Sequence, residues 1–183
     1  FFVTLLHLDK FHFDSPHWNT VVGTWVWLLV YLIVPFIMAA LWIMQLRLEG
    51  KDTPLSAPLS KWVRITLLVQ GLAMVLTGVL LLLIPMSVAA VWPWPLTPLT
   101  GRAIGAWGVG LGTAALQIAL ENDYRRGRAG FLANAVFAMF QLINLVRFGG
   151  EYTWGSLSGL LYLFLLLTLG VLGVNGWLRS RSG

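Results

Sequence analysis

From Val21 to Gln45 the chain reads VVGTWVWLLVYLIVPFIMAALWIMQ, without one charged residue. About 20 helical residues cross a ~30 Å hydrocarbon layer, so this run is long enough to do so. In water, a helix that is apolar on every side has to be buried on every side. Four further predominantly apolar runs are long enough as well, at about 65–86, 99–120, 129–148 and 154–178, with Arg102 and Arg147 near the ends of the third and fourth spans. Composition agrees: hydrophobic residues make up 58%, charged residues 10%, and mean hydropathy is +0.80. Soluble domains carry about a quarter charged residues. The expected fold is an all-α integral membrane protein, a bundle of five transmembrane helices. A sixth is expected if a helix precedes Phe1. Pro35 is expected to kink the first span. Residues 1–19 then form an outer interfacial segment or the end of a truncated helix, 20–179 the bundle and 180–183 a cytoplasmic tail.

The cations give this bundle a direction. Arg47, Lys51, Lys61 and Arg64 lie between the first two spans. Arg125, Arg126 and Arg128 lie between the third and fourth, and Arg179 and Arg181 in the tail. These nine fall on one side, leaving only Lys10, Arg102 and Arg147 on the other. By the positive-inside rule the C-terminus is cytoplasmic, and the segment before Val21 and the 87–98 loop are outside. This distribution assigns the net charge of +5 to the membrane surface rather than to nucleic acid. ENDYRRGR (121–128) reads as a tight hairpin held against anionic headgroups. The chain has no cysteine, which removes disulfides, thiolate metal sites and cysteine nucleophiles.

Inside the spans, polarity is sparse. Gly101-x-x-x-Gly105 and Gly108-x-x-x-Gly112 are small-residue patterns that let helix backbones approach. Gln70, Gln117, Asn134, Gln141 and Asn144 form a candidate intramembrane polar stripe. Amides in hydrocarbon are expected to face inward and bond across helices. Asn134 and Gln141 are seven apart and share a face, with Asn144 about 60° round from Gln141. No Asp, Glu, Lys or His lies deep in any span, which argues against a proton pump or an ion-coupled carrier.

Chemistry collects outside. LHLDKFHFDSPHWN (6–19) holds all three histidines, with aspartates interleaved. His7, Asp9, His12, Asp14 and His17, with Arg102, Arg147 and Glu151, make up the candidate outer polar site. His7, His12 and His17 are the candidate metal ligands, and together with Asp9 and Asp14 they offer nitrogen and oxygen donors suited to zinc or a similar ion. Against this, five residues of helix turn about 140°, so successive histidines do not share a face. The competing reading is an amphipathic lead-in lying on the outer leaflet. A b-type haem clamped within a single chain is not expected, because its two imidazoles would have to come from facing helices. No cofactor is expected. Arg102 sits in the first turn of its span, where the helix dipole disfavours a cation. Asp9 or Asp14 is the expected counter-ion, and Arg147 is a candidate partner for Glu151. Thr97 is expected to cap the third span with Pro98 at its first position. Trp92 and Trp94, set between prolines, read as a lid at headgroup level.

VWPWPLTPLTGRAIGAW followed by ENDYRRGR, with LHLDKFH before the first span, resembles a pattern in uncharacterised multi-pass bacterial membrane proteins. The resemblance covers most of the chain and implies a bacterial plasma-membrane (inner-membrane) protein; it brings no activity with it. The ten tryptophans are a likeness of composition only to the tryptophan-rich sensory proteins. Three functional classes follow. The expected one is a non-catalytic accessory or structural component, its partners the lipid bilayer and other membrane subunits. A carrier of a small apolar or amphiphilic molecule, with a cavity beneath the tryptophans, comes second. A membrane enzyme or metal-binding protein using the histidine segment comes third, with no catalytic residue assigned.

Overall fold

The computed structural model describes residues 2–48, 50 and 54–181. The chain forms two units, 1–52 and 53–183. The first contains α1 (Phe2–Leu6), a 3-10 turn at Leu8–Lys10 and the long α2 (Trp18–Arg47). The second contains α3 (Lys61–Leu83), the short α4 (Pro85–Ala89), α5 (Pro98–Glu121), α6 (Arg128–Arg147) and α7 (Leu157–Arg179), with a 3-10 turn at Gly149–Glu151. The described residues are otherwise turns and loops, with a single antiparallel bridge between Pro58 and Asp123. Helices α2, α3, α5, α6 and α7 are each long and apolar enough to cross a membrane.

Local chemistry sets the helix ends. The Thr97 hydroxyl accepts the Thr100 N–H at 3.2 Å with Pro98 at the first helical position, so α5 starts as its sequence predicts. Ser156 does the same for α7 through the Gly159 N–H at 3.0 Å. Asn122, left-handed at φ 52°, ends α5. The second span stops at Leu83, short of the expected Met86. Pro85 disfavours helical geometry at Ile84, which takes φ −130° and ψ 58°, and α4 begins there anew. Helix α2, by contrast, runs unbroken through Pro35.

In the second unit α3 and α5 run antiparallel and pack more extensively than any other pair, followed by α6 and α7. The α3–α5 contact is backbone on backbone. A Cβ built on Gly78 would stand 2.7 Å from the Gly105 carbonyl oxygen, and one on Gly105 2.7 Å from that of Gly78. One turn pair away, a Cβ on Gly112 would stand 2.7 Å from the Gly71 oxygen and one on Gly71 2.9 Å from the Gly112 oxygen. The closest approaches are spaced by seven on both helices, Gly71/Gly78 against Gly105/Gly112. Of the other glycines in the expected four-residue patterns, Gly108 also meets α3 backbone, its would-be Cβ 3.3 Å from the Met74 oxygen, and Gly101 faces Pro85 at 3.1 Å. An arginine at each end repeats the reciprocity. Arg64 Nε, near the start of α3, donates to the Ala119 carbonyl near the end of α5 at 3.1 Å. Arg102 Nε, near the start of α5, donates to the Leu82 carbonyl near the end of α3 at 3.4 Å. The second pair, α6 and α7, closes where Gly173 meets the backbone of Ala135 and where the Phe131 ring lies on Gly176. Met74, Leu111, Ala138 and Leu169 join all four helices in one apolar cluster.

Gly78→Ala is expected to lower stability in detergent by about 2 kcal/mol, because the added methyl meets backbone that cannot rotate away. Gly110, with nothing within 4 Å of its would-be Cβ, is the control. Gly110→Ala is expected to be neutral or to gain up to about 1 kcal/mol through helix propensity. Thermal unfolding of the two variants beside the parent checks both.

Candidate functional site

The histidine segment does not converge on a point. His7 precedes the 3-10 turn, His12 is exposed beyond it, and His17 takes the N-cap position of α2. Asp9 bonds its neighbour Lys10 at 2.8 Å, both side chains exposed. That hydrogen bond, first among the causes, lowers the Asp9 pKa. Asp14 is exposed. Among the described residues no three of His, Asp or Glu gather closely enough to hold a metal ion. The segment is anchored by aromatic packing instead: Phe13 meets Phe11 at 6.3 Å and, edge to face, Trp25, about two turns into α2, at 5.5 Å.

Arg102, Arg147 and Glu151 belong to the second unit. The cation in the first turn of α5 finds its acceptor at the end of α3, the Leu82 carbonyl. There it faces the negative end of the α3 dipole, which offsets its unfavourable place on α5. Arg147 lays its guanidinium over the Phe148 ring, 5.3 Å from the centroid. Glu151 is exposed, and no ion pair joins it to Arg147 among the described residues.

The amide stripe divides. Gln70 is buried, and its Nε2 donates to Thr168 Oγ1 at 2.7 Å and to the Leu165 carbonyl at 3.2 Å, tying α3 to α7. Gln141 Oε1 accepts the Tyr162 hydroxyl at 3.2 Å, tying α6 to α7. Asn134 is buried on α6. Gln117 and Asn144 depart from the expectation: both are exposed on the outward faces of their helices. Near its end α6 presents Leu145 to the core, and a residue one position away, turned by about 100°, cannot share that face.

At the end where α5 begins, the Trp92–Trp94 loop rests on the 148–156 loop. The Thr153 N–H and hydroxyl both donate to the Pro93 carbonyl at 2.9 Å. Trp94 packs edge-on to Tyr162 at 4.9 Å and stacks on Tyr152 at 6.1 Å. Trp92 abuts Trp94 at 5.3 Å, and Trp154 abuts Tyr152 at 4.7 Å. The Tyr152 hydroxyl donates to the Gly159 carbonyl, and burial raises its pKa, keeping it a neutral donor. The expected lid is thus one face of an aromatic cluster. Within it the Trp92 indole N–H is buried without a hydrogen-bond partner.

At the opposite end sits a side chain that accepts four backbone hydrogen bonds. Asp123, fully buried, follows Asn122 in the turn between α5 and α6. Its Oδ2 accepts the N–H groups of Ser56 and Ala57, each at 2.8 Å; its Oδ1 accepts those of Arg125 at 2.8 Å and Arg126 at 3.1 Å. The Tyr124 N–H donates to the Ala57 carbonyl at 2.8 Å, completing a short pairing of the two chain segments. The extended 54–60 connector is thereby fastened beneath the α5–α6 turn. Comparison with family models, curated proteins and solved structures finds no match.

Burial alone would raise the Asp123 pKa, but four backbone N–H donors outweigh it and hold the carboxyl at about 2, below its ordinary 3.8. Asp123 was not among the residues singled out by spacing. An aspartate in a helix-ending turn does signal the local bonds to the N–H groups two and three residues on. The donors from Ser56 and Ala57 lie 67 and 66 residues away and leave no local trace.

The Asp123 carboxylate contributes stability that is complete above pH 4 and is lost as pH falls through about 2, since its folded pKa is the lower one. The amount is about 2 kcal/mol. Asp123→Asn, whose NH₂ would face two N–H donors, is expected to cost about 2–4 kcal/mol at neutral pH and to flatten the pH dependence in that window. Unfolding of parent and variant at several pH values measures both.

Proposed function

We propose that this is a multi-pass integral membrane protein with a non-catalytic role, an accessory or structural component of a membrane assembly. The observation that carries the reading is α2. Phe36, Ile37 and Met38 stand on successive positions, about 100° apart around the helix, and are 64%, 50% and 58% exposed. Val30, Ile33, Leu41, Trp42 and Met44 are exposed as well. A helix apolar over its whole circumference requires an apolar surrounding, whether lipid or the helices of a neighbour. The second unit supports the same reading. Gln70 through its Nε2 and Gln141 through its Oε1 make helix–helix bonds, and Asp123 fastens a loop. The resemblance to bacterial multi-pass proteins favours the plasma membrane, with the Asp123 end and the C-terminus in the cytoplasm by charge.

The buried, unpartnered Trp92 N–H favours a second reading, a binding site for a small amphiphilic molecule that would accept its proton. One preparation separates the readings. The membrane fraction, after alkaline carbonate washing, is solubilised in mild detergent, purified, and examined for co-purifying chains and for extractable lipid or pigment. A photo-crosslinker at Phe36 or Trp42 is expected to capture one defined membrane protein. A solitary chain with crosslinks to lipid alone would defeat the accessory role, and a stoichiometric organic molecule would favour the second reading. Replacing His7, His12 and His17 together by alanine is expected to leave the captured partner unchanged. Its loss, or an equivalent of metal by elemental analysis, would return the histidine segment to the centre.

A further inference from the structure

Lys61 and Arg64 at the start of α3, Arg125, Arg126 and Arg128 in the α5–α6 turn, and Arg179 and Arg181 at the end of α7 lie at one end of the second unit. Several contacts hold these three regions together. Arg64 bonds the Ala119 carbonyl, Asp123 draws in the residues before Lys61, and the Arg179 guanidinium lies 5.7 Å from the Tyr124 ring centroid. The acids of the second unit at this end are Glu121 and Asp123. Glu121 is bonded to Arg126 at 2.8 Å, and Asp123 is buried. Seven cations against two acids leave +5 here, whereas Arg102 and Arg147 against Glu151 leave +1 at the other end. Beside the basic end the helices expose Ile65, Leu132 and Leu178, and within about three turns of it Val69, Leu72, Val171 and Val174, with Trp62 77% exposed beside Lys61.

We propose that this end is a docking surface for the phosphate headgroups of anionic phospholipids. A basic rim alone would suit any polyanion. A basic rim set on an apolar wall, with an indole at the boundary, suits a molecule whose anionic head is joined to an apolar tail. The Asp123 fastening has a part in this: it fixes the chain entering α3 against the α5–α6 turn, so that the cations starting α3 and those of the turn stand at the same end of the unit. The proposal rests on the membrane reading given above.

Protein stripped of lipid in neutral detergent is titrated with phosphatidylglycerol, phosphatidylcholine or inorganic phosphate, and bound species are read by native mass spectrometry. Phosphatidylglycerol is expected to be retained at least about tenfold over phosphatidylcholine, and the preference to collapse between about 0.1 and about 1 M salt. The triple variant Lys61→Gln, Arg125→Gln, Arg128→Gln is expected to bind phosphatidylglycerol on the order of a hundredfold more weakly. Equal retention of the two lipids by the parent, a preference indifferent to salt, or an unchanged preference in the triple variant overturns the proposal. Inorganic phosphate held as tightly as phosphatidylglycerol overturns it in favour of a free-anion site. The membrane reading fails separately, by release of the chain from membranes in alkaline carbonate. Retention in the membrane without lipid preference removes only this inference.

Discussion

Contact of α3 with α5 through bare backbone is the constraint on which the second unit depends. Helices as apolar on their outer faces as these gain little specificity from burying one more leucine, so their register is set by close fit and by hydrogen bonds. Gly71, Gly78, Gly105 and Gly112 supply the fit, each meeting a carbonyl oxygen of the facing helix. The antiparallel register they set brings Arg64 to the last turn of α5 and Arg102 to the last turn of α3. Each helix thereby satisfies carbonyls left open at the end of the other, and each arginine lies at the negative end of a dipole not its own.

That register also places the two ends of the unit. At one end the loop after α4 meets the loop before α7, joined by Thr153 on the Pro93 carbonyl and filled by the rings of Trp92, Trp94, Tyr152 and Tyr162. At the other, Asp123 gathers four N–H groups from two segments. An ionised carboxylate is tolerated at full burial only when its oxygens are satisfied in this way. The polar groups of the unit therefore serve chiefly to hold helices and loops in place, and the charge left over is concentrated on one rim.

Much of the architecture could be read from residues close together in the chain. The apolar run from Val21 to Gln45 announced α2, and Thr97-Pro98 marked the start of α5. Gln70 and Gln141 were legible as cross-helix donors or acceptors because an amide has few other uses in an apolar span. Gln117 and Asn144 were not, because the face a helical residue presents depends on where neighbouring helices lie. The glycine spacing was half visible: four-residue intervals on α5 stood out, while the matching Gly71 and Gly78 gain meaning only opposite Gly105 and Gly112. Arg102 was marked as needing compensation, and the acceptor its Nε meets within the unit is the Leu82 carbonyl, which has no signature in side-chain chemistry. Tyr152 and Tyr162, which anchor the aromatic cluster, carried no signal beyond their composition.

The sequence by itself determined the number and approximate extent of the long apolar helices, the Thr97 cap of α5 and the uneven distribution of charge. These follow from hydropathy, backbone hydrogen bonding and electrostatics acting over one or two turns of chain. Only the tertiary structure decided that Asp123 binds the N–H groups of Ser56 and Ala57, that α3 and α5 meet glycine on glycine, and that the histidines do not converge. Those outcomes depend on register between segments dozens of residues apart, where a shift of one residue would turn each side chain by about 100° to another face.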